Sequence, residues 1–268
     1  MSVLQRYLLP DSADLGETGR LRVGGCDLLD LAAAHGTPLF VYDEDHLRAR
    51  AREAVSAWGD GVAYATKAFL CKAMAALAAG EGMCLDVSTG GELEVALAAG
   101  VPPERLVLHG NNKLPRELER AVRLGLRRIV VDSFDELDRL EAIVGRNPRT
   151  PPPVLLRVTP GVEAHTHAYT STGQEDSKFG FGLHSGAAAE AVARCRRSAS
   201  VELVGLHAHI GSQVFRVDAY ARAVEALAEL FVPLDLPELC VGGGLGVPYV
   251  AGERAPGIAE WAGAVRRA

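Results

Sequence analysis

Four apolar runs with β-branched residues begin at residues 62, 84, 106 and 128, a constant step of 22 residues. Each is followed by a stretch whose apolar residues recur at helical spacing, over 71–79, 92–99, 116–124 and 135–144. A repeat this short holds one strand, one helix and two tight connections. Further strand candidates lie at 39–42, 154–159, 203–209 and 239–241, so the alternation runs almost to the end of the chain. Such alternation predicts parallel strands covered by helices.

Two architectures satisfy that pattern, an open doubly wound sheet and a closed (β/α)8 TIM-type barrel. The open sheet normally carries a Gly-x-Gly-x-x-Gly turn after its first strand. Here the first strands run into Tyr64-Ala65-Thr66-Lys67 and Asp86-Val87-Ser88-Thr89-Gly90-Gly91, which do not fit. Polar residues instead close nearly every strand: Lys67, Asp86, His109, Asp132, Arg157, His207 with His209, and the glycines from Gly242. In a barrel those ends converge on one mouth, where the chemistry sits. The barrel is therefore expected, occupying residues 38–268. Residues 1–37 stand outside the alternation as an N-terminal arm with one short strand near 20–25, and the Pro-rich stretch 146–153 reads as a surface loop.

With 268 residues, 48% of them hydrophobic, the chain can bury a substantial core. A net charge of -6 argues against a nucleic-acid surface and against an anionic membrane as partner. The N-terminus lacks a signal-peptide pattern, and no apolar stretch is long enough to span a bilayer. Cys26, Cys71, Cys84, Cys195 and Cys240 are scattered and odd in number. They read as reduced thiols, and a cytoplasmic location is expected.

Lysine occurs only at positions 67, 72, 113 and 178, so chemistry that needs an amine has four candidates. Lys67 follows an apolar strand between small neighbours, where partial desolvation would free its amine to bond a carbonyl carbon. The plainer alternative is a surface lysine with its head in water. Gly242, Gly243 and Gly244 follow the last strand candidate. Consecutive glycines let backbone N–H groups approach an anion, with a helix N-terminus expected to add its dipole. No Gly-Lys-Ser/Thr is present and the dinucleotide spacing is missed, which leaves a single phosphate or an ordinary tight turn.

His207 and His209 share one face of a strand. They suit either a metal site or, for His209, stacking against an aromatic cofactor; His207 is expected to be a satisfied core histidine. Ser212 lies just beyond and can donate to a phosphate. Arg157 sits between Leu156 and Val158, so its guanidinium must be paired or aimed at the mouth. Asp86 ends its strand in the same way, while Glu92 fits an ordinary first-turn carboxylate. A lysine, a glycine turn, a stacking histidine and an arginine together describe a pyridoxal 5'-phosphate site, coherent but not unique.

Several stretches together resemble the diaminopimelate decarboxylases, a family of the alanine-racemase-like barrel class of pyridoxal-phosphate enzymes. They are Tyr64-Ala65-Thr66-Lys67-Ala68, Asp86-Val87-Ser88-Thr89-Gly90-Gly91-Glu92, His109-Gly110-Asn111-Asn112-Lys113, residues 160–167, 176–181 and 205–213, and 242–249. The resemblance implies Lys67 as the lysine that bonds the cofactor and His209 against its ring. It places Ser212, Gly242, Gly243 and Gly244 around the phosphate, with Asp86 and Arg157 close by. The reaction it implies removes the carboxylate at the D-configured centre of meso-diaminopimelate, giving L-lysine and CO2. A homodimer with shared active sites is implied as well.

The chain departs from that family at its end. The Glu-Pro-Gly-Arg of the last barrel strand and the Cys-Glu-Ser-Gly of a C-terminal β-domain do not occur before Ala268. A barrel lacking its last strand is therefore expected, truncated, inactive alone, and with residues 1–37 belonging to the missing β-domain. Alternatives are a barrel decarboxylase for ornithine, arginine or carboxynorspermidine, a non-catalytic pyridoxal-phosphate carrier, and a metal-dependent hydrolase using His207 and His209.

Overall fold

The structure, a computed structural model, describes residues 6–146, 150–162, 178–250 and 252–268. The chain begins with an antiparallel sheet of β1 (Asp14–Leu15), β2 (Leu21–Val23) and β3 (Cys26–Asp27). Asp27 caps α1 (Leu28–His35), accepting from the backbone N–H groups of Leu29 and Asp30. Asp43 caps α2 (Glu44–Trp58) through His46 N–H and also holds Ser12, which ties the first residues to the start of α2.

The 22-residue repeat then appears as strand–helix units. They are β4 (Ala63–Ala65) and α3 (Lys72–Gly80), β5 (Cys84–Val87) and α4 (Gly90–Ala98), β6 (Leu106–Leu108) and α5 (Pro115–Leu124), and β7 (Arg128–Val131) and α6 (Phe134–Arg146). The chain continues through β8 (Pro153–Thr159), a short β9 (Phe181–Gly182), α7 (Ala187–Arg197), β10 (Glu202–His207), α8 (Val217–Phe231), β11 (Glu238–Cys240) and α9 (Ile258–Arg267). Seven strands pair in parallel in the order β11-β10-β8-β7-β6-β5-β4, and β9 adds a two-residue pairing to β8.

Alternation along each strand explains why the sheet is buried on both faces. Leu106 and Leu108, Ile129 and Val131, and Val154 and Leu156 pack outward under the helices. Their neighbours Val107, Val130 and Leu155 form a separate inner cluster with Val204. Among the described residues β4 and β11 do not pair with each other, yet the helical layer spans that gap. Trp261 of α9 meets Trp58 of α2 edge-on at 4.7 Å and Tyr220 of α8 at 5.2 Å. At the opposite end of the strands from the mouth, Arg128 at the start of β7 holds Glu238 at the start of β11 through a two-point ion pair, one contact at 2.8 Å.

One strand expectation fails. Residues 39–42 form no strand; Phe40 is 86% exposed and Leu39, Val41 and Tyr42 are exposed with it. β-rich composition makes a strand only beside a partner edge, and among the described residues none pairs with this stretch. Tyr42 instead stacks on Phe69 at 4.6 Å. The expected loop at 146–153 and the motif residues 163–177 fall partly or wholly outside the described residues. No helix among the described residues is long and apolar enough to cross a membrane.

Candidate active site

The strand ends bring the expected residues to one mouth. Lys67 lies in a single 3-10 turn, Thr66–Ala68, directly after β4, held by Thr66 Oγ1 donating to the Asp86 carbonyl at 2.8 Å. Its side chain is exposed, against the expected partial desolvation, because β4 is an edge strand with no described neighbour beyond it. Asp86 on β5 and Arg157 on β8 line the interior, and His209 stands two residues past β10. These positions are coupled: the charge of Lys67 acts on both Asp86 and His209, and that of Arg157 acts on the same two.

Burial sets the protonation states. Loss of water pushes the Asp86 carboxyl up to about 7, with Lys67 and Arg157 opposing and Glu92 assisting. His209 is drawn down to about 4 by burial and by the cations Arg157 and Lys67. Its Nδ1 accepts from Gly243 N–H at 3.4 Å, which fits a neutral ring. His109 and His207 are held well below the ordinary imidazole range, again by burial first. Their rings meet edge-on at 4.9 Å, and His109 Nε2 lies 3.7 Å from Asp86 Oδ2. His207 is buried as expected, but its Nδ1 is unsatisfied.

Arg157 is paired, not aimed bare into the mouth. Its Nη1 lies 3.3 Å from Asp132 Oδ1, its guanidinium packs 4.4 Å from the centre of the Phe179 ring, and Asp132 Oδ2 also accepts Gly180 N–H at 3.0 Å. Glu92 takes the bland role, accepting from Ser88 N–H at 2.7 Å and Thr89 Oγ1 at 3.2 Å at the start of α4. His109 and Asp132 were expected at the mouth but without a role, and Lys113 and Glu136 were not expected there. The signal for them is the four-residue spacing His109/Lys113 and Asp132/Glu136 just past two strand ends, which places each pair around one turn.

The glycine segment is laced to the loop after His209. Val214 N–H donates to the Gly244 carbonyl and Gly246 N–H to the Val214 carbonyl, each at 2.9 Å. Gly242 and Gly244 have φ of 71° and 87°, and a Cβ on either would run into the carbonyl of Ala208 or Gly211. Ser212 is adjacent, its Cα 3.2 Å from where a Gly244 Cβ would stand. At Gly243 a Cβ would meet nothing within 4 Å. The expected helix dipole is absent here, because residues 247–250 and 252–257 are not helical and α9 starts only at Ile258. Backbone N–H groups and Ser212 are the donors the turn offers an anion.

Pyridoxal phosphate fits these residues. Asp86 Oδ1 and His207 Nδ1 are buried polar atoms without a hydrogen-bond partner, and space opens over Gly243. Among the described residues, no three or more His, Cys, Asp or Glu side chains are arranged to hold a metal ion.

The raised Asp86 carboxyl carries a stability consequence. A folded-state pKa above the ordinary 3.8 favours folding fully below that value and loses the contribution as pH rises through about 7. Asp86→Asn removes the buried charge, so at pH 8 the ligand-free variant is expected to be more stable than the parent by up to about 4 kcal/mol. The gap should shrink towards pH 4. Urea titrations at both pH values check this; equal stability at pH 8 would show that the site does not resist the Asp86 charge.

The family model described as pyridoxal-dependent decarboxylase, pyridoxal binding domain, matches residues 44–268. The chain is 48% identical over 265 residues to a diaminopimelate decarboxylase of Mycobacterium bovis, covering 94% of this chain and 59% of that protein. It is 45% identical over 265 residues to one from Corynebacterium efficiens, covering 96% and 58%. Its structure is similar to that of diaminopimelate decarboxylase from M. jannaschii in complex with L-lysine, with a TM-score of 0.89, 29% identity, and coverage of 96% of this chain and 62% of that one. The chain thus spans about three fifths of the length of the curated relatives it matches. Its seven parallel strands are those of a (β/α)8 TIM-type barrel. On the match over residues 44–268, the chain belongs to the pyridoxal-dependent decarboxylases and carries their pyridoxal-binding domain.

Proposed function

We propose that the whole protein decarboxylates meso-diaminopimelate to L-lysine and CO2, using pyridoxal 5'-phosphate held by the residues described above. The observation that carries this is the convergence of Lys67, Asp86, Arg157 and His209, 142 positions apart from first to last, on one mouth. When bound, pyridoxal phosphate supplies an electron sink for the carbanion left as CO2 departs. Lys67 would hold the cofactor through its Nζ and, once displaced by the substrate's amine, could exchange a proton there. His209, neutral and fixed by Gly243 N–H, would take the face of the cofactor ring. The turn of Gly242, Gly243 and Gly244 with Ser212 would take the phosphate, while Asp86 and the Asp132-bound Arg157 would set the charge around the ring.

Diaminopimelate is favoured as substrate because the relatives at 45–48% identity carry that name, and the M. jannaschii structure was solved with L-lysine. We assign residues 1–37 to an arm that joins a C-terminal β-domain, and residues 38–268 to the barrel. A homodimer and a cytoplasmic location complete the reading; the five free cysteines and the exposed apolar residues 39–41 are in keeping with it.

The test is CO2 release by the full-length protein supplied with pyridoxal phosphate and, in turn, meso-diaminopimelate, ornithine and arginine. Release from diaminopimelate alone is expected, and faster release from ornithine or arginine would overturn the assignment. Residues 1–268 in isolation should give no turnover, because among the described residues β4 and β11 leave two sheet edges unpaired and the mouth open beside Lys67. Turnover by that segment would overturn this expectation.

A further inference from the structure

We propose that Lys113 is a positioning residue for both walls of the pocket, acting through the His109 turn on one side and through Glu136 and Asp132 on Arg157 on the other. The inference deepens the functional reading above, since it concerns the same pocket.

The Lys113 side chain has no solvent exposure, and its three N–H donors meet three acceptors. These are the Gly110 carbonyl at 2.7 Å, the Val130 carbonyl at 2.6 Å and Glu136 Oε1 at 2.7 Å. An ammonium so matched is charged, although burial lowers its pKa and raises that of Glu136. Two of these acceptors lead to pocket residues. Gly110 follows His109 and has a φ of 114°; a Cβ there would lie 3.1 Å from the Ser88 carbonyl oxygen, so the turn is narrow and its carbonyl direction is set by Lys113. His109 in turn faces Asp86 and His207. On the other side Glu136 Oε2 accepts Asp132 N–H at 3.4 Å, and the Asp132 carboxylate holds Arg157 Nη1 and Gly180 N–H. One amine therefore links the end of β6 to the end of β7 and the start of α6.

Stability alone does not account for this arrangement. A buried ion pair costs about as much in lost hydration as it returns, and an apolar pair of similar volume would join helix and sheet equally well. What an apolar pair cannot do is fix the direction of the Gly110 carbonyl and the Asp132 N–H. Those two groups decide where the His109 ring and the Arg157 guanidinium stand relative to a bound ring.

The experiment uses the full-length protein in three forms: wild type, Glu136→Gln, and the double variant Lys113→Met/Glu136→Leu. Glu94→Gln, which alters an exposed pair with Arg120, serves as control. The first readout is the NMR signal of the His109 ring in cofactor-free protein. The second is pyridoxal-phosphate affinity by absorbance titration, with melting temperature followed in parallel. A moved His109 signal and an affinity about tenfold weaker are expected in the double variant at little change in melting temperature, with a smaller change in Glu136→Gln and none in the control. A folded double variant with an unmoved His109 signal and wild-type affinity overturns the proposal. Should the double variant fail to fold, Glu136→Gln decides by the same readings. If wild-type protein does not bind pyridoxal phosphate, the functional reading fails and the His109 signal alone decides this one.

Discussion

Lys67→Ala is expected to abolish covalent retention of pyridoxal phosphate and to lower CO2 release by at least about 10²-fold, the lower end for losing a group that transfers protons. The expectation comes from what the four lysines do. Lys67 stands exposed at the mouth within the fields of Asp86 and His209. Lys113 has all three donors engaged in the interior, and its amine could reach a carbonyl carbon only by leaving Glu136 buried and unpaired. Lys72 opens α3 on the surface, and Lys178 packs over the Phe179 ring at 5.2 Å. Borohydride reduction of the loaded full-length protein followed by peptide mapping should place the pyridoxyl group on Lys67 and nowhere else. Label on Lys72, Lys113 or Lys178 would sink the assignment.

Neighbouring glycines should fail in different ways. Gly244→Ala puts a Cβ against the Gly211 carbonyl at a φ of 87°, so a loss of stability of about 3 kcal/mol or more is expected from strain and overpacking together. Gly243→Ala meets no protein atom within 4 Å, and stability should stay within about 0.5 kcal/mol of the parent. The methyl group would nevertheless stand in the open space above the turn. Pyridoxal-phosphate affinity should therefore fall about tenfold, a difference of about 1.4 kcal/mol. Denaturant titration and cofactor titration on the two variants separate the effects. Wild-type affinity in Gly243→Ala would remove the turn from the phosphate site.

Much of the fold can be read without coordinates. β5, β6 and β7 begin at residues 84, 106 and 128, where the 22-residue step places them, and β8 extends the expected 154–159 by one residue. These strands are buried on both faces, so their apolar runs are continuous and distinctive. Residues 39–42 have the same β-rich composition but remain exposed, because a strand needs a paired edge and composition does not report one. The helix expected at the glycine turn fails for a related reason. Glycine runs license a tight backbone, but the chain beyond them turns away before α9 begins at Ile258.

The candidate site was legible as residue types and only partly as partners. Arg157 had to be paired, but three acidic residues stand near the strand ends at 86, 132 and 136, and nothing in the chain says which one meets it. Parallel register decides: Val131 opposite Leu156 carries Asp132 to the side of Arg157, while Asp86 lies two strands further round. The Lys113–Glu136 pair escaped notice because each half looks like a surface charge in its own segment. Only packing of the turn after β6 beneath the start of α6 removes both from water.

The sequence by itself determined the strand–helix period, the parallel sheet, and the short roster of groups able to do chemistry. Those follow from local spacing and from what each side chain can donate, accept or bury. The tertiary structure alone decided which of those groups meet, how dry they are, and hence their charge. Asp86 rises to about 7 and His209 falls to about 4 because burial and Coulomb forces depend on distances between residues as far apart in the chain as Lys67 and His209. No local pattern encodes those distances; the curvature and register of the assembled sheet do.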